Sequence, residues 1–184
     1  MLCFANRRDS PNAIYKMFDL YRPLKNYVDQ LMQVKQSDID AAHDIDMIIP
    51  HELTVLFNHF CRSQREQTLA ANFGLFTEHL AALDSIEFDE NDDAPSLHGW
   101  SLAQHPTSLC SALGYTVEHP RLRYGSPVVT SVVCRIACDH KWIRTWNRFY
   151  TLEEYDASTF EVFKARGLLN SDVTLMPISS HRRA

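Results

Sequence analysis

The chain has 184 residues, of which 45% are hydrophobic and 22% charged. That length allows one domain, or one domain with a helical extension, and the apolar content is too high for a disordered segment. The net charge of −5 is unevenly spread: residues 1–93 hold 16 Asp/Glu against 8 Lys/Arg, whereas residues 94–184 hold 7 against 10.

No apolar run approaches the roughly 20 residues that span a bilayer, so no membrane partner is expected. The opening MLCFANRRDSP reaches Arg7 and Arg8 after a short apolar start, which does not fit a signal peptide. Five cysteines, an odd and sparse set, point to reduced thiols and a cytoplasmic location rather than a disulfide scaffold.

Residues 12–36 carry apolar side chains at steps of three and four, from Ile14 through Met17, Phe18, Tyr21, Leu24 and Val28 to Leu31. This predicts a helix, started by Ser10-Pro11 and kinked at Pro23, where a backbone donor is missing. Ser37 and Asp38 are expected to cap a short helix through Ala42. Pro50 introduces the longest helical pattern, with Leu53, Leu56, Phe57 and Phe60 followed by Leu69, Phe73, Phe76, Leu80 and Leu83. The polar insert RSQREQ (62–67) either faces solvent or divides this helix.

DSIEFDENDDAP (84–95) contains six acids and reads as a solvated linker between a helical region, 1–83, and a second region, 96–184. Beyond it the helical period vanishes. Strands are expected at Leu97–Gln104, Cys110–Glu118, Pro127–Ala137 and Trp142–Leu152, and a last helix from Asp156 to about Leu169 with Phe160, Phe163 and Leu168 inward. The tail SSHRRA is expected to fray. The fold class is therefore α+β: N-terminal helices packed on a C-terminal antiparallel four-stranded β-meander or small partly open barrel, with a C-terminal helix.

The stretch WIRTWNRFY (142–150), read with a two-residue period, places Trp142, Arg144, Trp146, Arg148 and Tyr150 on one strand face. Guanidinium groups stack on rings and grip phosphate bidentately, and aromatic faces stack on unpaired bases. The same pattern also fits a buried aromatic face with arginine stems packed alongside. Thr130 and Ser131 on the preceding strand, with Arg121 and Arg123 in the loop before it, extend the candidate anion or nucleic-acid surface. Six basic residues lie between His119 and Arg148 (Arg121, Arg123, Arg135, Lys141, Arg144, Arg148) against Asp139 alone.

HPRLRYGSPVVTS followed by WIRTWNRFYTL, with APSLHGW upstream, resembles an uncharacterised family of short bacterial proteins typical of α-proteobacteria. The matching positions are His119, Pro120, Leu122, Gly125, Thr130, Ser131, Trp142, Arg144, Thr145, Arg148 and Tyr150; Trp146 and Asn147 depart from the small or apolar residues of the pattern. The resemblance covers roughly residues 94–152. It implies a bacterial, cytoplasmic protein and carries no activity, cofactor or catalytic residue with it.

Catalytic equipment is sparse. Cys134, Cys138 and His140, with His119 as a fourth ligand, superficially resemble a zinc half-site, but on a straight strand positions 134 and 138 stand about 13 Å apart, at a rise of about 3.3 Å per residue. His51-Glu52 opens like a metalloprotease helix motif, yet Val55 stands where the second ligand belongs. His59 and His79 read as helix residues. No Gly-rich phosphate loop or nucleophile elbow is present. No catalytic residue, metal or cofactor is assigned. Two functions follow: a non-enzymatic regulatory or adaptor protein whose helical region contacts a protein partner or a second copy, or a nucleic-acid-binding accessory protein using the basic aromatic stretch 119–150. Convergence of the six basic side chains on one exposed face would favour the second, and their scatter or burial the first.

Overall fold

The computed structural model describes residues 24, 26–64, 68–85, 88, 89, 93–107, 109–137 and 139–178, with the backbone alone at 84 and 85. Those up to Ser85 and those from Phe88 onward belong to two compact units. The predicted cap at Ser10-Pro11, the Pro23 kink, residues 86, 87 and 90–92 of the acidic run and the SSHRRA tail lie outside the described residues.

In the helical unit, residues 26–31 are helical and are followed by α1 (Gln36–Ala41), a 3-10 turn (Ile45–Met47), α2 (His51–Ser63) and α3 (Leu69–Ser85). Ser37 and Asp38 do not cap α1. Lys35 holds the cap position without a side-chain hydrogen bond, and both predicted caps lie inside the helix. The polar insert divides the long pattern in two. Gln64 turns extended (φ −92°, ψ 156°), and the Thr68 hydroxyl accepts from Ala71 N–H at 3.3 Å to start α3. The apolar stripes of both helices are buried at Leu53, Phe57, Phe60, Phe76, Leu80 and Leu83. The Phe76 ring meets Phe57 edge-on at 5.2 Å and Phe60 at 5.6 Å, a favoured aromatic geometry.

The second unit contains β1 (Ser96–Gln104), β2 (Cys110–Val117), β3 (Ser126–Ile136), β4 (Trp142–Thr145), β5 (Phe149–Leu152), α4 (Ser158–Ala165) and β6 (Thr174–Met176). The expected four-stranded meander is replaced by a closed five-strand barrel with an added strand. Strands β1 to β5 follow one another antiparallel, and β5 then pairs with β1 in parallel, Ser96 opposite Thr151 and Leu97 opposite Leu152. Five strands running alternately up and down put the first and last in the same direction, so closure has to be parallel. The expected meander differs from this arrangement in two further ways. The segment 142–152 is two strands, because the chain reverses at Trp146-Asn147. A sixth strand, β6, pairs antiparallel with the second half of β1.

β1 serves three neighbours because it is irregular. It pairs with β2 along its length with a shift between His98 and Ser101, and Gly99 there adopts φ +54°, a left-handed conformation open to glycine at low cost. The kink releases Trp100 to donate its N–H to the Glu154 carbonyl at 3.0 Å and its indole N–H to the Glu153 carbonyl at 3.1 Å.

Alternation sorts the side chains. Leu97, Leu102, Ala112, Val128, Ile143 and Tyr150 belong to the main core cluster of the barrel. A second cluster joins Ala103 and Leu113 to Phe160 and Phe163 of α4 and to Val173. The helix is shorter than its pattern suggests: Asp156 Oδ1 accepts from Ser158 N–H at 2.8 Å near its start, and Gly167 (φ +69°) follows its end. Leu168, expected inward, is therefore past the helix and 44% exposed. Among the described residues no helix is long and apolar enough to cross a membrane.

Gly114 on β2 faces the β1 kink, where an added Cβ would lie 3.1 Å from the His98 carbonyl oxygen and 3.4 Å from Leu97 Cβ. The neighbour is backbone and cannot rotate away. Gly114→Ala should therefore destabilise the protein by about 1–3 kcal/mol, the usual cost of overpacking, seen as a lower denaturant midpoint with an unchanged slope. An unchanged midpoint would show that the β1–β2 spacing yields freely.

Candidate anion interface at one end of the barrel

The up-and-down topology brings three chain segments to one end of the barrel: the approach to β1 (93–95), the β2–β3 connection (118–125) and the β4–β5 turn (146–148). The connection carries Arg121, Arg123 and Tyr124, all exposed, Tyr124 at 83%. Its path is set by local chemistry. Glu118 (φ 60°) and Gly125 (φ 72°) take left-handed backbone near its two ends. Gly125 N–H donates to the Thr116 carbonyl at 2.8 Å, and Arg121 N–H donates to His119 Nδ1 at 3.1 Å.

The β4–β5 turn is pinned by a side chain. Thr145 N–H donates to the Arg148 carbonyl at 2.8 Å, the Thr145 hydroxyl donates to the same carbonyl at 2.9 Å, and Arg148 N–H returns a bond to that hydroxyl at 3.3 Å. Arg148 is thereby fixed at the rim. An open cleft of about 320 Å³ lies beside it, lined by Asp93, Pro95, Arg144, Asn147, Arg148 and Phe149.

His119 connects the two segments. Its ring stacks on Tyr150 at 6.3 Å with an interplanar angle of 19°. Its pKa is held below the ordinary imidazole value, first by burial and then by the positive charges of Arg148 and Arg121. Burial pushes the Tyr150 phenol up, against the pull of Arg148.

The carboxylates of the unit are dispersed. Asp139 lies in the β3–β4 connection, paired with Lys141 at 3.6 Å, so Lys141 does not share the rim with the other basic residues of the stretch. Asp172 precedes β6, next to Val173, whose carbonyl accepts from Lys164 Nζ at 3.5 Å. Glu153, Glu154 and Asp156 run beside the first half of β1: Glu153 N–H donates to the Leu97 carbonyl at 3.0 Å, Asp156 N–H to the Trp100 carbonyl at 2.9 Å, and Glu154 pairs with His98 at 3.4 Å. The rim itself also carries Glu118 in the β2–β3 connection and Asp93 in the cleft.

The single-strand ladder does not exist as drawn. Trp142 and Arg144 lie on β4, but the turn at Trp146-Asn147 sends the other three positions elsewhere. Trp146 is buried at the turn, its N–H donating to the Val132 carbonyl at 2.8 Å. Tyr150 belongs to the core cluster of the barrel. Thr130 is structural: at the β2–β3 irregularity its hydroxyl accepts from Ala112 N–H at 2.9 Å and donates to the Ser131 carbonyl at 2.8 Å. Ser131 is half-buried, and among the described residues its Oγ, like Arg144 Nε, is buried without a hydrogen-bond partner.

The actual ladder crosses three strands. Arg135 on β3 pairs with Arg144 on β4, which pairs with Phe149 on β5. The Arg135 guanidinium lies 5.4 Å from the Trp142 ring centre and that of Arg144 lies 4.9 Å from the Phe149 ring centre. Phe149, Asn147, Tyr124 and Phe88 were not among the predicted site residues. Asn147 was the available signal, a turn former between two β-rich runs.

Burial pushes the Cys134 thiol up to about 12 and the Cys110 thiol up to about 12, so neither supplies a thiolate near neutral pH. Cys138 lies outside the described residues, among which no cluster of three or more His, Cys, Asp or Glu side chains could hold a metal ion. No protein-family model, curated protein or solved structure matches the chain.

Because the fold disfavours the His119 imidazolium, the unfolded chain binds more protons as pH falls below the ordinary value of 6.5, and this residue subtracts stability there. An NMR titration should find its ring titrating below that value. Arg148→Gln should raise it only part of the way, since burial remains. A parent titration at the ordinary value would remove the electrostatic basis of this cluster.

Proposed function

We propose that the basic end of the barrel is a binding surface for single-stranded nucleic acid and that the protein acts as a non-enzymatic accessory binder. The observation that carries this reading is the arginine-rich rim. Arg121 and Arg123 share one end of the barrel with Arg148, with Arg144 in the adjoining cleft, against Glu118 and Asp93 among the described residues there. A local excess of positive charge steers a polyanion toward that end. Arginine rather than lysine makes up the rim, which suits bidentate contact with phosphate. The exposed Tyr124 ring lies between Arg123 and Gly125 and offers a face on which an unpaired base can stack.

Salt titration tests the reading directly. Binding of a labelled oligothymidylate should weaken with salt, and the Arg121→Gln/Arg123→Gln/Arg148→Gln protein should bind more weakly with a flatter log–log slope. The loss should be about 0.7 per phosphate contact removed, or about 2 in all. A parent that fails to bind at low salt, or a triple variant with an unaltered slope, rejects it.

A second reading is favoured by a different observation in the helical unit. Val55 on α2 is 76% exposed and Met47 in the 3-10 turn is 65% exposed. The Thr54 hydroxyl donates to Asp46 Oδ1 at 2.5 Å, tying these neighbouring elements together. We infer from these residues a contact with a second copy of the chain, the adaptor role. Light scattering should then find a dimer that Met47→Glu/Val55→Glu converts to monomer; a parent that is monomeric at every attainable concentration rules this out.

A further inference from the structure

The outer face of β3–β5 is already occupied. Phe88, from the acidic run, stacks on Trp142 with ring centres 5.4 Å apart and an interplanar angle of 28°. It also meets Phe149 at 5.2 Å and 53°, while Trp142 and Phe149 meet edge-on at 5.5 Å. Arg135 and Arg144 flank these two rings through their cation–π contacts. Exposed Asp89 follows Phe88 directly, and Asp93 lines the cleft that also holds Arg144 and Arg148. The chain thus lays a flat ring on an aromatic pair and brings a carboxylate to the arginines beside it. A nucleotide in a single strand has the same two parts, a flat ring and an adjacent anion.

We propose that this face, Arg135–Trp142–Arg144–Phe149, is the base-stacking surface of the nucleic-acid site, and that Phe88 holds it in the free protein as an internal competitor that the strand displaces. The inference rests on the function proposed above and adds the surface that follows the rim. The cleft at Arg144 and Arg148 joins the two surfaces, so a backbone gripped at the rim is led onto Trp142. A tethered competitor needs little intrinsic affinity, because a short connection holds it at an effective concentration of about millimolar. Displacement also selects for single strands, since a paired base has no free face to offer in place of the phenyl ring.

The test uses the full chain and a labelled oligothymidylate at fixed salt. Phe88→Ala should bind about 5- to 100-fold more tightly than the parent, the range that one stacking contact spans. Adding Trp142→Ala to that variant should abolish the gain. Asp89→Asn/Asp93→Asn leaves the phenyl ring in place and should give a smaller gain in the same direction, which keeps the proposal exposed if Phe88→Ala does not fold. A parent that binds while Phe88→Ala and the double Asn variant bind equally well or less well overturns the competitor and leaves the rim reading standing. Failure of parent and variants alike to bind overturns both. If Phe88→Ala instead prefers a synthetic peptide of residues 84–95 to the oligonucleotide, the surface belongs to a protein partner and this proposal is wrong.

Discussion

The barrel depends on β1 being bent. A straight strand offers two edges and could serve β2 on one and a single neighbour on the other. The left-handed Gly99 and the register shift between His98 and Ser101 break the second edge into two parts. The first part closes the barrel against β5, and the second accepts β6. Between them Trp100 turns its backbone and indole donors to the carbonyls of Glu154 and Glu153. The parallel closure uses Ser96 and Leu97 and the β6 addition uses Leu102 to Gln104, with the kink between the two sets. The close approach of Gly114 to the His98 carbonyl is the packing counterpart of the same bend.

Closure also decides where charge goes. With five alternating strands, the connections fall at two ends. Arg121 and Arg123 share the β2–β3 connection with Glu118, and Arg148 follows in the β4–β5 turn at the same end. Like charges repel there, by an amount that solvent and salt reduce. Arg121 and Arg123 are exposed, which lets the fold tolerate this.

Much of the α+β organisation is legible in sequence because it rests on short-range periodicity. Steps of three and four marked α2 and α3, and β-branched runs between turn formers marked β1, β2 and β3 to within about a residue of their ends. The phenylalanines of α4 were placed correctly, and Leu168 was not, because the apolar period was followed past Gly167, the left-handed residue beyond the helix end. The segment 142–152 misled for a related reason. Alternating large residues fit one continuous strand as well as a hairpin, and the turn is held by Thr145 bonding to Arg148 across it, a three-residue relation that period analysis does not weigh. Thr130 looked like an available hydroxyl because nothing local reveals that a β-irregularity would consume it.

The sequence by itself determined the helical and strand segments, the basic character of 119–148 and the acidic character of 84–93, since these depend on residues near one another along the chain. Tertiary structure alone decided which arginines share a surface. Arg135, Arg144 and Phe149 meet across three strands, and His119 lies against Tyr150 from a different connection. It alone also showed that Phe88, which the sequence assigned to a solvated linker, lies on Trp142. Such contacts join positions far apart in sequence, and strand register and barrel closure set them; periodicity reports only which face a residue takes, not what the opposing chain will bring to it.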